Sequence, residues 1–153
     1  MSAFRYALTP DRLDKVFPFH LAFDTSLAIA QVGHALAGIL QQSIVGKPLT
    51  QEFAILRPKL TVNFDAILSK QNQLFFLKHN HSQLQLKGQI IFLEEDQALL
   101  FLCSPWAADS TVLPQIGIRL KDYAIHDSMI DYLLLQRTHR TALEDLKKVN
   151  KEL

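Results

Sequence analysis

The stretch from Leu84 to Trp106, LQLKGQIIFLEEDQALLFLCSPW, leaves few folds open. Leu84, Leu86, Ile90 and Phe92 share one parity, and Gln83, Gln85, Lys87 and Gln89 share the other. Successive side chains point to opposite faces of a strand, so this is a strand with one face in a core. Glu94-Glu95-Asp96-Gln97 then interrupts the apolar run at the length of a four-residue hairpin loop. Ala98 to Cys103 returns as a near-continuous apolar strand, and Ser104-Pro105 closes it, because proline has no N–H to give a ladder. The segment therefore specifies a long antiparallel hairpin. Gly88, in mid-strand, marks a bulge or a close approach of two backbones.

A hairpin with one apolar face needs a layer to cover it, and the rest of the chain can supply one. With 153 residues, 48% hydrophobic and 20% charged, the composition is that of one ordinary globular domain. A net charge of +1, from 16 basic and 15 acidic residues, gives no electrostatic case for nucleic acid or an anionic membrane. Cys103 is the only cysteine and lies on an apolar strand, which fits a buried thiol in a reducing compartment. No charged segment leads into an apolar one at the N-terminus, and no apolar run approaches the roughly 18 residues of a spanning helix. A cytoplasmic location is expected.

Thr9-Pro10-Asp11 reads as a helix start, and Pro18 ends that helix at Phe17. Phe17, Phe19, Leu21 and Phe23 alternate as a first strand with an aromatic face, with His20 opposite. Asp24-Thr25-Ser26 is turn chemistry, and Leu27 to Val32 is a second strand ended by Gly33. His34 to Leu40 suits a short helix, and Gly46-Lys47-Pro48 a loop. Leu49 to Leu60 carries no clear pattern. Asn63 caps a helix over Phe64 to Lys70, and Leu74 to Leu77 is a third strand. His79-Asn80-His81-Ser82 turns into the hairpin, and Pro114–Gly117 and Lys121-Asp122 follow it as connectors. The expected fold is α+β, a five-stranded antiparallel sheet with short helices on one face.

Ser128 and Asp131 form a capping box for a helix that runs on to Leu153. Its first turns, Met129 to Leu135, are apolar nearly all round and must be buried on several sides. Beyond Gln136 a seam remains, Leu135, His139, Ala142, Leu146, Val149 and Leu153, spaced by fours and threes as in a coiled coil.

Candidate chemistry is thin. His79 and His81 lie two apart in a polar turn without a nearby cysteine or carboxylate, which reads as an exposed turn rather than a metal site. His20 and His126 are single histidines; each either ligates a haem or hydrogen-bonds and orients a chain turn, and the second reading is preferred. His139 lacks the neighbouring acid expected of a phosphoacceptor, and the seam accounts for it. No Gly-x-Ser-x-Gly elbow or glycine-rich phosphate loop occurs, and Glu94-Glu95-Asp96 is a solvated turn. Neither a catalytic set nor a metal or cofactor is expected.

Leu86-Lys87-Gly88-Gln89-Ile90 followed by Phe101-Leu102-Cys103-Ser104-Pro105 resembles the H-NOX-associated (H-NOXA) domain. Phe17-Pro18-Phe19-His20 with Phe23-Asp24, Arg57-Pro58, and Leu120 through His126-Asp127 recur in the family's order. The resemblance covers roughly residues 12–135. It implies a PAS-like module lying between a haem-nitric-oxide-binding domain and the signalling helix of a soluble guanylate cyclase, or its counterpart in bacterial histidine kinases and diguanylate cyclases. The short turn at His79–Ser82, where eukaryotic cyclases often carry an insertion, resembles the bacterial branch.

The resemblance implies a division into a flanking helix (1–16), a PAS-like body (17–127) and a signalling helix (128–153). It implies a non-catalytic dimerisation and relay module, with an H-NOX partner upstream and a kinase or cyclase output downstream. A bacterial histidine kinase is the expected setting, and a guanylate or diguanylate cyclase or a small-molecule-sensing PAS domain is the alternative. The outward row Gln83, Gln85, Gln89, Ile91 and Leu93 is poor in charge, as interface cores are. Leu13, Val16, Phe17, Gln89 and Ile91 are therefore the expected contacts of a homodimer. Phe17 is equally at home in the chain's own core.

Overall fold

In the computed structural model, which describes residues 7–109 and 111–152, the chain opens with helix α1 (Pro10–Val16). The Thr9 hydroxyl oxygen accepts the Arg12 N–H at 3.3 Å, and Pro10 takes the first turn, where its missing N–H costs nothing. Phe17 ends the helix, and strand β1 (His20–Asp24) begins only three residues later. Phe17 thus leaves the aromatic row that sequence alternation assigns to it.

Strand β2 (Ile29–Val32) starts two residues later than expected. One Asp24 oxygen accepts the Ser26 N–H and hydroxyl and the Ala28 N–H, at 2.9, 2.7 and 3.0 Å, and so prolongs the turn. Leu27 pays for that turn with a left-handed φ of 64°. Helices α2 (His34–Leu40) and α3 (Leu49–Glu52) follow, then strand β3 (Phe53–Arg57), helix α4 (Phe64–Ser69), and strands β4 (Phe75–His79), β5 (Gln85–Leu93) and β6 (Ala98–Pro105). A short helix α5 (Val112–Gln115) overlaps the start of the expected Pro114–Gly117 connector, and a long helix α6 (Met129–Glu152) completes the order.

The sheet has six strands in the order β2-β1-β6-β5-β4-β3, every neighbouring pair antiparallel. This corrects the expected five. The additional strand is β3, in the stretch that showed no pattern: Phe53 is buried, but Leu56 on the other parity is 44% exposed, so both faces are apolar and alternation is invisible. The β5–β6 pairing runs unslipped from Leu86↔Pro105 to Leu93↔Ala98, leaving the four residues 94–97 as the loop.

One face of the sheet gathers Phe19 from just before β1, Leu21 and Phe23 from β1, Leu86 and Ile90 from β5, and Leu99 and Phe101 from β6. Leu36, Leu49, Ile67 and Leu113 of the short helices cover them. Each such side chain taken from water contributes about 1.5–3 kcal/mol. On the opposite face a smaller cluster forms, in which Leu13 and Phe17 pack with Ala22 and Leu100. Helix α1 therefore lies on the far side of the sheet from the other short helices.

Candidate functional site

The outward face is set by register. Gln89 stands opposite Leu102 and Ile91 opposite Leu100, and Leu100 in turn pairs with Ala22 of β1. Leu13 is buried against Ala22 and Leu100, so its side chain is committed to seating α1 on its own sheet. Phe17 is half-buried in the same cluster. Val16, Gln89 and Ile91 remain exposed, with Ile91 open by 45% in mid-strand. The five residues expected at an interface thus share one side of the sheet, two fixing a helix there and three facing solvent.

Phe17 and Val16 also meet the far end of the chain. The His126 Nε2–H donates to the Val16 carbonyl at 2.7 Å, and its ring meets the Phe17 ring edge-on with centroids 5.2 Å apart. The next residue opens α6: an Asp127 carboxylate oxygen accepts the Met129 N–H at 2.9 Å. Asp127 rather than the expected Ser128–Asp131 box makes this contact, because it reaches the N–H two residues on, as an Asx cap does. Two consecutive side chains thereby join the end of α1 to the start of α6.

His20 is fully buried, although its parity is outward, because α1 and β2 close over it. Its Nδ1 lies 2.7 Å from the Phe17 carbonyl and its Nε2 lies 2.8 Å from the Gln31 amide nitrogen. A carbonyl only accepts, so Nδ1 donates to Phe17, and the Gln31 side-chain amide pairs with Nε2. Both of its nitrogens are engaged by protein. His20 and His126 each hydrogen-bond a backbone carbonyl, His20 within its own turn and His126 across 110 residues rather than locally.

Along α6, Met129, Ile130 and Leu133 pack on the main core. Past them the helix is solvent-facing. Leu135, Leu146 and Val149 are 67, 61 and 53% exposed, and His139 and Ala142 are exposed between them. Leu135 and His139 border a hollow shared with Ala108 and Asp109 beyond β6. Leu153, the last residue of the expected seam, lies outside the described residues.

The sequence reading missed a polar cluster at the β4–β5 turn. Strand β3 pairs Phe53 with His79, which brings the preceding Glu52 against the His79 ring. Glu52 is 4% exposed and His79 is 7% exposed, so His79 is a buried residue and not part of an open turn. The Leu84 N–H donates to the Ser82 Oγ at 3.2 Å, and Ser82 donates to His79 Nδ1 at 2.8 Å. His79 Nε2 faces Glu52 Oε2 at 3.4 Å, and Lys47 Nζ stands 3.8 Å from Glu52 Oε1. Burial holds the His79 pKa below its ordinary value, with Glu52 pulling partly back, so the ring is neutral. Glu52 lay in the unpatterned stretch, and only recognition of β3 would have found it. Among the described residues no group of three or more His, Cys, Asp or Glu is placed to hold a metal ion.

Cys103 is buried, its Sγ–H donating to the Phe19 carbonyl at 3.2 Å, and burial pushes the thiol pKa well up. The Tyr123 hydroxyl, which donates to the Pro105 carbonyl at 3.2 Å, is likewise raised by burial. Neither is poised as a nucleophile at neutral pH. Among the described residues no helix is long and apolar enough to cross a membrane.

These features define an α+β domain that covers one sheet face with short helices, seats a single helix on the other, and projects a long helix from the joint between them. The sequence pattern of the family described as "Heme NO binding associated" matches residues 6–85 and 78–153, and the chain belongs to that family. The two matched segments overlap at the turn between β4 and β5. The chain is 34% identical over 145 residues to the guanylate cyclase soluble subunit alpha-1 of Rattus norvegicus, covering 88% of this chain and 21% of that one. It is 31% identical over 154 residues to the soluble subunit beta-2 of the same animal, covering 90% and 22%. It is 30% identical over 166 residues to the soluble subunit alpha-2 of Homo sapiens, covering 88% and 22%. The chain spans about a fifth of the length of these curated relatives.

Proposed function

We propose that this domain is a dimerisation and signal-transmission module of an H-NOX-linked signalling protein, with no chemistry of its own. The joint built by His126 and Asp127 carries the reading. It ties α1, which lies beside the exposed Gln89 and Ile91, to the root of α6, whose apolar seam is open to solvent. A second copy of this chain covers both surfaces, the two bodies meeting about a two-fold axis. Residues 1–16 flank the body, 17–127 form it, and 128–153 relay the signal. A change received from an H-NOX partner shifts the packing at α1, and the joint passes it to α6 and on to an output domain. The family resemblance allows a histidine kinase or a cyclase as that output; the relatives named above favour a cyclase.

Sedimentation equilibrium of the chain over a concentration series tests the reading. The expected result is self-association that Phe17→Asp and Gln89→Lys each weaken by about tenfold or more, as the loss of a desolvated contact does. If neither substitution changes the solution mass, the outward face is not the interface.

A further inference from the structure

A cavity of about 630 Å³ opens beside the Glu52–His79 cluster, between the β4–β5 turn and the short helices. This is within the range of small-molecule sites, roughly 300–1,000 Å³. Its lining includes the apolar Ile39, Leu40, Ile44 and Ile116 and the polar Lys47, Glu52, His79, His81 and Ser82. Glu52 is the unusual member. Its carboxylate is nearly fully buried, yet its two cationic or donor contacts among the described residues are 3.4 and 3.8 Å long, beyond good hydrogen-bond distance. A buried charge without short hydrogen bonds is costly, and it is the natural receptor for an N–H group brought by something else. Lys47 is in the complementary condition, an ammonium 38% exposed at the rim with one distant carboxylate partner.

We propose that this cavity binds a small zwitterion with an aliphatic body, an α-amino acid of the leucine type. Its ammonium would donate to Glu52, its carboxylate would take Lys47, and its side chain would lie on the isoleucine and leucine wall. Apart from the two imidazoles of His79 and His81, Lys47 and Glu52 are the ionisable side chains of the lining and sum to no net charge. A zwitterion satisfies both, whereas a simple cation or anion leaves one of them uncompensated. Gln42 and Gln51, also on the lining, add neutral hydrogen-bonding capacity without altering that balance. The site goes beyond the relay reading and stands or falls separately from it, since none of its residues belongs to the α1 face or the α6 seam.

Calorimetric titration of the whole chain decides the matter, using L-leucine, L-isoleucine, L-valine and L-methionine, with isoamylamine and isocaproate as single-charge analogues. The expected result is saturable binding of at least one of the amino acids. Both analogues should be weaker, and Glu52→Gln and Lys47→Met should each weaken the amino acid by about tenfold or more, as loss of a charge-assisted hydrogen bond does. Lys47 is at the surface, so Lys47→Met gives a folded variant even if Glu52→Gln does not. The proposal is overturned if none of the four amino acids binds, if either analogue binds as tightly as they do, or if a folded variant binds unchanged.

Discussion

At Gly88 the two central strands of the hairpin come together as closely as backbones allow. A methyl group there would lie 2.1 Å from the Leu102 carbonyl oxygen and 2.6 Å from the Cys103 Cα, both main-chain atoms with nowhere to move. The ladder runs unslipped through Gly88↔Cys103, so of the two meanings this glycine had in the sequence, close approach is the one realised. Gly88→Ala should destabilise the domain by about 3 kcal/mol, at the upper end of overpacking costs, read as a fall in the urea midpoint at unchanged slope. His79 offers a second test at this scale. Its folded pKa lies below the ordinary 6.5, so the unfolded chain takes up a proton that the folded ring refuses. The stability tied to a neutral His79 is therefore complete above about pH 6.5 and declines as pH falls toward the folded value. The His79 ring protons should titrate below 6.5 by NMR, and the acid limb of a melting-temperature profile should be shallower in His79→Gln. A ring that titrates at or above 6.5 would contradict its burial beside Glu52.

Among the elements, those whose physics is local were legible. Thr9 and Asn63 announce their helices because a cap is a contact between near neighbours, as the 2.8 Å bond from the Ala66 N–H to Asn63 Oδ1 shows. The hairpin was legible because one face is wet. Strand β3 was hidden because both its faces carry apolar residues, the exposed one included, and with it went Glu52, which precedes a pairing across 26 residues between Phe53 and His79. The face that Phe17 would take was hidden too, since α1 ends where the strand could have begun. Helix α6 is less legible: only Met129, Ile130 and Leu133 of its root pack on the core. Tyr132, Leu134 and Leu135 are exposed where burial on several sides was expected, and the seam beyond is exposed too. That contrast makes a prediction. Leu146→Glu should leave the unfolding free energy of the monomer within about 0.5 kcal/mol, as exposed substitutions do. It should also weaken self-association by about tenfold, the two read on one sample by denaturant unfolding and sedimentation. A loss of monomer stability instead would mean that the seam serves the chain's own fold.

For the molecule as a whole, the strand order β2-β1-β6-β5-β4-β3 sets the last strand made in the middle of the sheet, between the first strand and the hairpin partner that precedes it. Until residues 98–105 exist, the strands form two separate sets, β1 with β2 and β3 with β4 and β5, and no pairing between strands joins them. The bond from the Cys103 N–H to the Phe19 carbonyl closes a loop of more than eighty residues in one step. Strand β6 therefore behaves as a keystone. The sheet is continuous only once β6 is in place, and its pairing with β1 is the long-range one. The residues that follow the keystone, through Tyr123 on the Pro105 carbonyl to His126 on Val16, are those that latch α1 to the start of α6, so that joint is built onto a sheet already closed by β6.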